Sequence, residues 1–364
     1  RHPVRRDLNA ATYLTGRVVL VTGAGGSVGS ELCRQVAAAG PRQLVLVGHG
    51  ENSIFDIGNE LRRLFPSLAL ETLIADVRDR RRLRQIFDEY RPAVVFHAAA
   101  HKHVPLMEAN PEEAVTNNIV GTARVIDAAL AAGTERFVLV STDKAVSPSS
   151  IMGASKRIAE HLVRVASATH GKPYVVVRFG NVLGSRGSVV PLFTKQIERG
   201  GPVTVTDPEM RRYFMTIPEA AHLILEAAGF GQAGNAYVLN MGDPVKVVDL
   251  ARDLIRLSGA DERNIAIEFT GLRPGEKLIE ELWEDDARVE ETEHPDVFRL
   301  VEPRRQALDE AATDLLALVA HSSEVPPAEI ERFVGLCRDV VAGAASAPPS
   351  PVTPAVRPAP RGAA

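Results

Sequence analysis

Thr142, Asp143 and Lys144 stand in succession in the stretch STDKAVSPSSIMGASK, which closes on Ser155 and Lys156. A hydroxyl, a carboxylic acid and an amine side by side can orient a substrate and move protons in both directions. The apolar run RFVLV, Arg136 to Val140, precedes them and is predicted to be a strand. The polar residues then lie at the carboxyl end of a strand, where open α/β sheets place their chemistry.

A second group of residues points to a dinucleotide. The β-rich run Arg17 to Val21 leads into TGAGGSVG, with Gly23, Gly26 and Gly29 in GxxGxxG spacing, Ser27 and Val28 between them, and a helical pattern from Ser30 to Ala39. Glycines there permit a tight turn and bring backbone N–H groups to a pyrophosphate at a helix N-terminus. After the second strand, Gly48-His49-Gly50-Glu51 offers Glu51, either as an acid for the adenosine ribose or as the start of the next helix. This favours NAD and leaves NADP open. Asp76 and Val77 close the third strand and are expected beside the adenine, with an N-cap or turn role for Asp76 as the alternative. In HAAAHKHVPLME, no clustered carboxylate or thiolate joins His97, His101 and His103, so no metal site is expected. Ala98, Ala99 and Ala100 are small enough for close passage of a cofactor, with Lys102 and His103 as cofactor or sugar neighbours. Asn118, in NNIVGT, is either a brace behind the active-site strand or a plain helix-surface asparagine.

These groups need a scaffold, and the chain alternates strands with helix-length amphipathic segments. Strands are expected at Gln43 to Val47, Ala69 to Ile74, Ala93 to His97, Phe137 to Ser141 and Tyr174 to Arg178. The pattern predicts an α/β fold: a Rossmann-type doubly wound parallel sheet, covered on both faces, with right-handed crossovers. The expected organisation is a lead-in over residues 1–16, an NAD(P)-binding domain over 17–180 and a smaller C-terminal substrate-binding lobe over 181–300. Segments such as Tyr237 to Asn240 return to the sheet, and a helical segment follows over 301–347. Residues 348–364 are mostly Pro, Ala and Ser and are expected to be disordered.

Composition narrows the class. With 364 residues and 45% hydrophobic content the chain can bury a full core. A net charge of −4 and a pI near 6.2 supply no basic field for nucleic acid. Cys33 and Cys337 make no disulfide framework and lack CxxC spacing, which suits a reducing cytoplasm. No window of 18 consecutive apolar residues occurs, yet the chain begins at Arg1 with Arg5 and Arg6 nearby. That leaves room for a membrane anchor absent from this chain.

Together, TGAGGSVG, HAAAHKHVPLME, NNIVGT, STDKAV, Ser155-Lys156, RFGNVLGSRGSVVP and GLRPGEKL resemble the extended short-chain dehydrogenase/reductase superfamily. Within it, the chain from about Arg17 to Leu300 resembles the UDP-N-acetylglucosamine 4,6-dehydratases of the polysaccharide biosynthesis branch. One position departs from the superfamily. Four residues before Lys156, where its general base is a tyrosine, stands Met152, a thioether that takes no proton. The larger, membrane-anchored dehydratases of this branch are similar in carrying methionine there.

The resemblance implies oxidation of the hexose at carbon 4 by the nicotinamide, loss of water across carbons 5 and 6, and return of the same hydride to carbon 6. It implies that Thr142 orients the 4-hydroxyl, whose proton leaves through Lys144, Asp143 or water. Lys144, its pKa lowered by burial and by Lys156, is the expected base at carbon 5. Asp143, kept protonated by an apolar pocket, is the expected acid for the carbon 6 hydroxyl, and Lys156 binds the nicotinamide ribose. For the UDP-N-acetylhexosamine, the resemblance implies sugar and uridine contacts at Asn181, Ser188, Val189 and Pro191, diphosphate clamps at Arg212 and Arg273, and a uridine ribose acceptor at Glu276. A homo-oligomer is expected. The rival readings are a UDP-N-acetylhexosamine 4-epimerase or 4-reductase, or an inactive nucleotide-binding module.

Overall fold

Val18–Thr22 (β1), Gln43–Gly48 (β2), Ala69–Ile74 (β3), Val94–His97 (β4), Arg136–Val140 (β5) and Tyr174–Arg178 (β6) form the first half of the sheet. The computed structural model describes residues 8–231, 234–261 and 264–345. The segment 348–364, expected to be disordered, lies outside these residues. β1, β4 and β6 are buried along their whole length, as continuous Val/Leu/Phe runs require when helices cover both faces of a parallel sheet.

The sheet has nine strands, in the order Arg288–Glu291, Val297–Val301, Ala236–Leu239, β6, β5, β4, β1, β2, β3. Every pairing from Ala236–Leu239 to β3 is parallel. Ala236–Leu239 is the returning segment expected at Tyr237 to Asn240. The two outermost strands run antiparallel and were not foreseen. Strand order reverses between β1 and β4, and Thr22, Val47 and His97 end level across that point. This is the crevice where doubly wound folds bind ligands.

One crossover departs from expectation. Helix Ile217–Phe230, leading into Ala236–Leu239, packs on helix Ser27–Ala38, whereas helix Ile151–His170, between β5 and β6, packs on helix Gly121–Ala131. The two connections advance the same way across the sheet on opposite faces, so their hands differ. The usual right-handed preference governs short βαβ units; here the connection out of β6 first builds a separate layer. That layer has its own apolar cluster, including Phe193, Ile197, Val203, Val205 and Ile255. It stands over the carboxyl end of β6.

Candidate active site

The glycine-rich turn is shaped by its backbone. Gly23 has φ +67°, and a Cβ there would lie 2.7 Å from the Ala98 backbone. A Cβ at Gly29 would fall on the Gly23 carbonyl oxygen. Helix Ser27–Ala38 starts after Gly26 with no side-chain cap, so the N–H groups of its first turn are open to an anion. A dinucleotide pyrophosphate fits that cradle. Val28 packs against the core, and Ser27 Oγ accepts the Arg186 N–H at 3.1 Å. The Arg186 guanidinium donates to the Gly25 carbonyl, and Lys102 Nζ donates to the Arg186 carbonyl at 2.9 Å. The loop of RFGNVLGSRGSVVP thus straps the glycine turn, a contact that the sequence reading missed.

Of the residues expected beside the adenosine, Glu51 is the exposed first residue of helix Glu51–Leu64. Asp76 accepts from the Arg78 N–H at 2.8 Å and from its guanidinium at 2.8 Å. Burial raises the Asp76 pKa, but the Arg78 hydrogen bonds outweigh it and hold the carboxyl below its ordinary value. Val77 is buried, and a Cβ at Gly121 would press on it at 2.8 Å. Ala98, Ala99 and Ala100 are half-buried beyond β4.

The three histidines serve different neighbours. His97 Nδ1 lies 2.7 Å from Thr22 Oγ1 and Nε2 lies 2.9 Å from Thr122 Oγ1. Burial pushes its pKa down to about 3, so it is a neutral pin between strands and helix. His101 sits 3.6 Å from Glu113. His103 is the N-cap residue of helix Val104–Ala109, and a Cβ at Gly187 would lie 2.7 Å from its ring. Among the described residues no group of three His, Cys, Asp or Glu could hold a metal ion.

Asn118 lies in the π-helical turn Val115–Val120. Its Oδ1 accepts the His101 N–H at 2.8 Å, and its Nδ2 donates to the His101 carbonyl and to Ser155 Oγ, both at 3.0 Å. It therefore ties the loop after β4 to the Ile151–His170 helix rather than to the active-site strand.

The residues after β5 converge. Thr142 Oγ1 donates to Asp143 Oδ1 at 2.9 Å, and Lys144 Nζ donates to the same oxygen at 2.9 Å. Asp143 is fully buried, and its Oδ2 has no hydrogen-bond partner. Its surroundings are an ammonium and a hydroxyl, not the apolar pocket expected. Lys144 Nζ also donates to Asn181 Oδ1 at 3.3 Å and lies 3.7 Å from Glu280 Oε1. Burial favours the neutral amine, but the charges of Asp143 and Glu280 outweigh it, so the Lys144 pKa is raised. The expected depression is corrected: Lys156 is not among its perturbing neighbours, and two carboxylates are.

Lys156 shows the opposite behaviour. Its Nζ donates to the Val140 carbonyl at 2.9 Å, and burial lowers its pKa to about 8 against a partial offset from Glu160. Met152 is buried in the first turn of the same helix, one turn before Lys156. Ser150 caps that helix by accepting the Gly153 N–H at 3.1 Å. A Cβ at Gly153 would fall on the Lys144 carbonyl oxygen, so glycine lets the helix start directly against the turn that carries Thr142, Asp143 and Lys144.

The substrate candidates divide. Asn181 joins the cluster around Lys144, while Ser188 precedes helix Val189–Glu198 with its Oγ buried and unpartnered. Val189 and Pro191 lie in that helix's first turn, partly buried. The Arg212 guanidinium donates to the Lys277 carbonyl at 2.8 Å and the Leu278 carbonyl at 3.1 Å, and lies 3.9 Å from Glu280. Arg273 is exposed, with its N–H donating to Glu276 Oε2 at 3.2 Å. Glu280, missed from sequence, is buried, and burial raises its pKa although Lys144 pulls it down. Its only signal was an acid within the run Ile279-Glu280-Glu281-Leu282.

Comparison with known proteins shows the family. A family model described as "Polysaccharide biosynthesis protein" matches residues 19–302. The chain belongs to that family. The capsular polysaccharide biosynthesis protein CapD of Staphylococcus aureus is 56% identical over 285 residues, covering 78% of this chain and 48% of CapD. The chain thus spans about half the length of that relative. A UDP-N-acetylglucosamine 4,6-dehydratase (inverting) of Campylobacter jejuni is 32% identical over 276 residues, covering 74% of this chain and 78% of the relative. The solved structure of Pen from Bacillus thuringiensis superposes with TM-score 0.74 at 36% identity, covering 80% of this chain and 91% of Pen. The fold described above is also that of DesIV, a dTDP-glucose 4,6-dehydratase from Streptomyces venezuelae, which superposes with TM-score 0.65 at 21% identity, covering 88% of this chain and 97% of DesIV. Among the described residues, no helix is long and apolar enough to cross a membrane.

Proposed function

We propose that this chain is a nucleotide-sugar 4,6-dehydratase that converts UDP-N-acetylglucosamine to a UDP-4-keto-6-deoxy-N-acetylhexosamine in glycan precursor synthesis. The observation that carries the reading is the Asp143–Lys144 pair at 2.9 Å, set at the end of β5. Epimerisation or reduction at carbon 4 needs no proton chemistry at carbon 5, whereas elimination needs both an acid and a base. The dehydratase relative from Campylobacter jejuni supports the same substrate class.

Gly23, Gly26, Gly29 and the first turn of helix Ser27–Ala38 would hold the pyrophosphate of NAD, with Glu51 suited to its adenosine ribose and Lys156 to its nicotinamide ribose. Bound there, NAD supplies reversible acceptance of a hydride from the sugar. Thr142 orients the 4-hydroxyl. Lys144 rests as an ammonium between two carboxylates, so it must first pass a proton to Asp143 or Glu280. That transfer breaks an N–H bond and forms an O–H bond. The neutral amine then takes the carbon 5 proton, acidified by the 4-keto group, and the new carboxylic acid protonates the departing carbon 6 hydroxyl. Water leaves, the pair regains its resting charge, and the proton that the 4-hydroxyl gave up to water or a carboxylate on oxidation is returned to carbon 5 as carbon 6 is reduced.

Incubation with UDP-N-acetylglucosamine deuterated at carbon 4 tests this directly. Mass spectrometry should show loss of one water with the deuterium retained on carbon 6, without net consumption of NAD. Stoichiometric NADH would refute dehydration in favour of a dehydrogenase, and an unchanged mass with inverted carbon 4 would make it an epimerase.

A further inference from the structure

Beneath the catalytic turn lies a buried cluster of arginines and glutamates that the proposed mechanism does not use. Arg178, on β6, is fully buried. Its Nε donates to Glu160 Oε1 at 2.8 Å and its Nη1 to Glu302 Oε1 at 2.8 Å. Arg157 donates to Glu302 Oε1 at 2.9 Å and to Glu284 Oε2 at 3.0 Å. Arg305 reaches the same Glu284 oxygen at 2.9 Å. Four parts of the chain meet here: β6, the Ile151–His170 helix, the segment around Glu284, and the residues after the last strand.

Stability alone does not account for such a cluster. Replacing a buried ion network with apolar side chains of similar volume is often neutral or stabilising, because the desolvation of each charge offsets most of the attraction. What this cluster does that an apolar one could not is hold polar groups of the active site from below. Ser141, immediately before Thr142, donates its hydroxyl to Glu160 Oε1 at 2.6 Å. Ser147, three residues after Lys144, donates its N–H to Glu284 Oε1 at 3.5 Å. Ser147 has φ +36°, a conformation that a non-glycine residue keeps only where its surroundings impose it. The Val146 carbonyl is held as well, accepting from Lys277 Nζ at 3.0 Å. The turn carrying Thr142, Asp143 and Lys144 is therefore gripped on both sides.

We propose that the cluster of Arg157, Glu160, Arg178, Glu284 and Glu302 is a positioning device for the catalytic turn, with Ser141 and Ser147 as its two points of attachment. This rests on the dehydratase reading for its kinetic consequence, though not for its structural one. Ser141 and Glu284 are positioning residues: they act through the placement of Asp143 and Lys144. A turn released at either side lets the proton-transferring groups drift, and misplacement of about 1 Å costs up to about a hundredfold in rate.

The experiment compares Ser141→Ala, Ser141→Thr and Glu284→Gln with the unaltered chain by two readouts. In dehydration of UDP-N-acetylglucosamine, Ser141→Ala and Glu284→Gln should lower kcat by roughly ten- to a hundredfold with KM changed less than about twofold, and Ser141→Thr, which keeps the hydroxyl, should recover most of the loss. In hydrogen–deuterium exchange followed by mass spectrometry, the peptide spanning residues 141–147 should lose protection in Ser141→Ala and Glu284→Gln. Wild-type kcat in both variants, or unchanged protection of that peptide, would overturn the proposal. Glu160→Gln and Arg178→Met sit deeper and risk unfolding, so Ser141 carries the test. If the unaltered chain fails to dehydrate the sugar, only the substrate assignment falls, and the exchange readout still decides the positioning claim.

Discussion

Lys156 offers the sharpest pH test, because its burial sets a definite free energy against it. Its pKa falls from 10.5 to about 8 in the folded chain, chiefly through burial, with Glu160 partly offsetting the fall. In the unfolded chain the amine keeps its ordinary value. Between about pH 8 and pH 10.5 the unfolded state therefore binds more protons than the folded state, and stability rises with pH across that window. The fall corresponds to about 3 kcal/mol against folding at neutral pH, at about 1.4 kcal/mol for each tenfold change in proton affinity. About 2 to 3 kcal/mol of it should be relieved between about pH 7 and pH 10. Lys156→Met removes the titration while keeping the length of the side chain. Urea unfolding of both proteins across that range gives the difference in unfolding free energy, from which other titrating lysines and tyrosines cancel. The difference should move in favour of the unaltered chain as pH rises. A difference that stays flat, or moves the other way, would show that Lys156 Nζ is solvated or paired and that its assignment to a dry ribose pocket is wrong.

Three further outcomes follow from the catalytic cluster. Lys144→Ala and Asp143→Asn should each slow dehydration by at least about a hundredfold, the lower end for a positioned acid or base, with substrate affinity by calorimetry little changed; near-normal turnover in both would leave the pair a mere strand-end turn. Met152→Ala should cost far less than Lys144→Ala at saturating substrate, and a tenfold gain in Met152→Tyr would show that the proton route still belongs to that position. Glu280→Gln removes one of the two carboxylates that raise the Lys144 pKa, so Lys144 should lose to solvent at lower pH the proton that the internal transfer needs, and the alkaline limb of the kcat profile should shift down. An unmoved limb would exclude Glu280 from the proton inventory of the site.

What the sequence disclosed and what it hid have physical causes. β1, β4 and β6 were legible because strands buried on both faces are written as unbroken apolar runs, and the glycine turn was legible because its backbone admits no side chain at Gly23 or Gly29. The outermost strands were not. Arg288–Glu291 reads RVEE, an exposed edge segment whose charges suit an unpaired sheet margin and give no apolar signal. That Thr142, Asp143 and Lys144 would meet was legible from their adjacency at a strand end. The electrostatics of the lysine were not, because they depend on which distant residues the smaller layer brings down onto it.

That difference decides how the site is to be understood. From sequence, Lys156 near the turn suggests, with burial, a lowering of the Lys144 pKa. In the fold they are segregated. Lys156 lies under β5 with a carbonyl for company and loses affinity for its proton, whereas Lys144 points between Asp143 and Glu280 and gains it. A lysine held as an ammonium is a poor base until it sheds its charge, and among the described residues the carboxylates within reach of it are those two. On the dehydratase reading the base at carbon 5 is the lysine together with its acid partners, and mutating either carboxylate should alter the lysine's chemistry as surely as mutating the lysine itself.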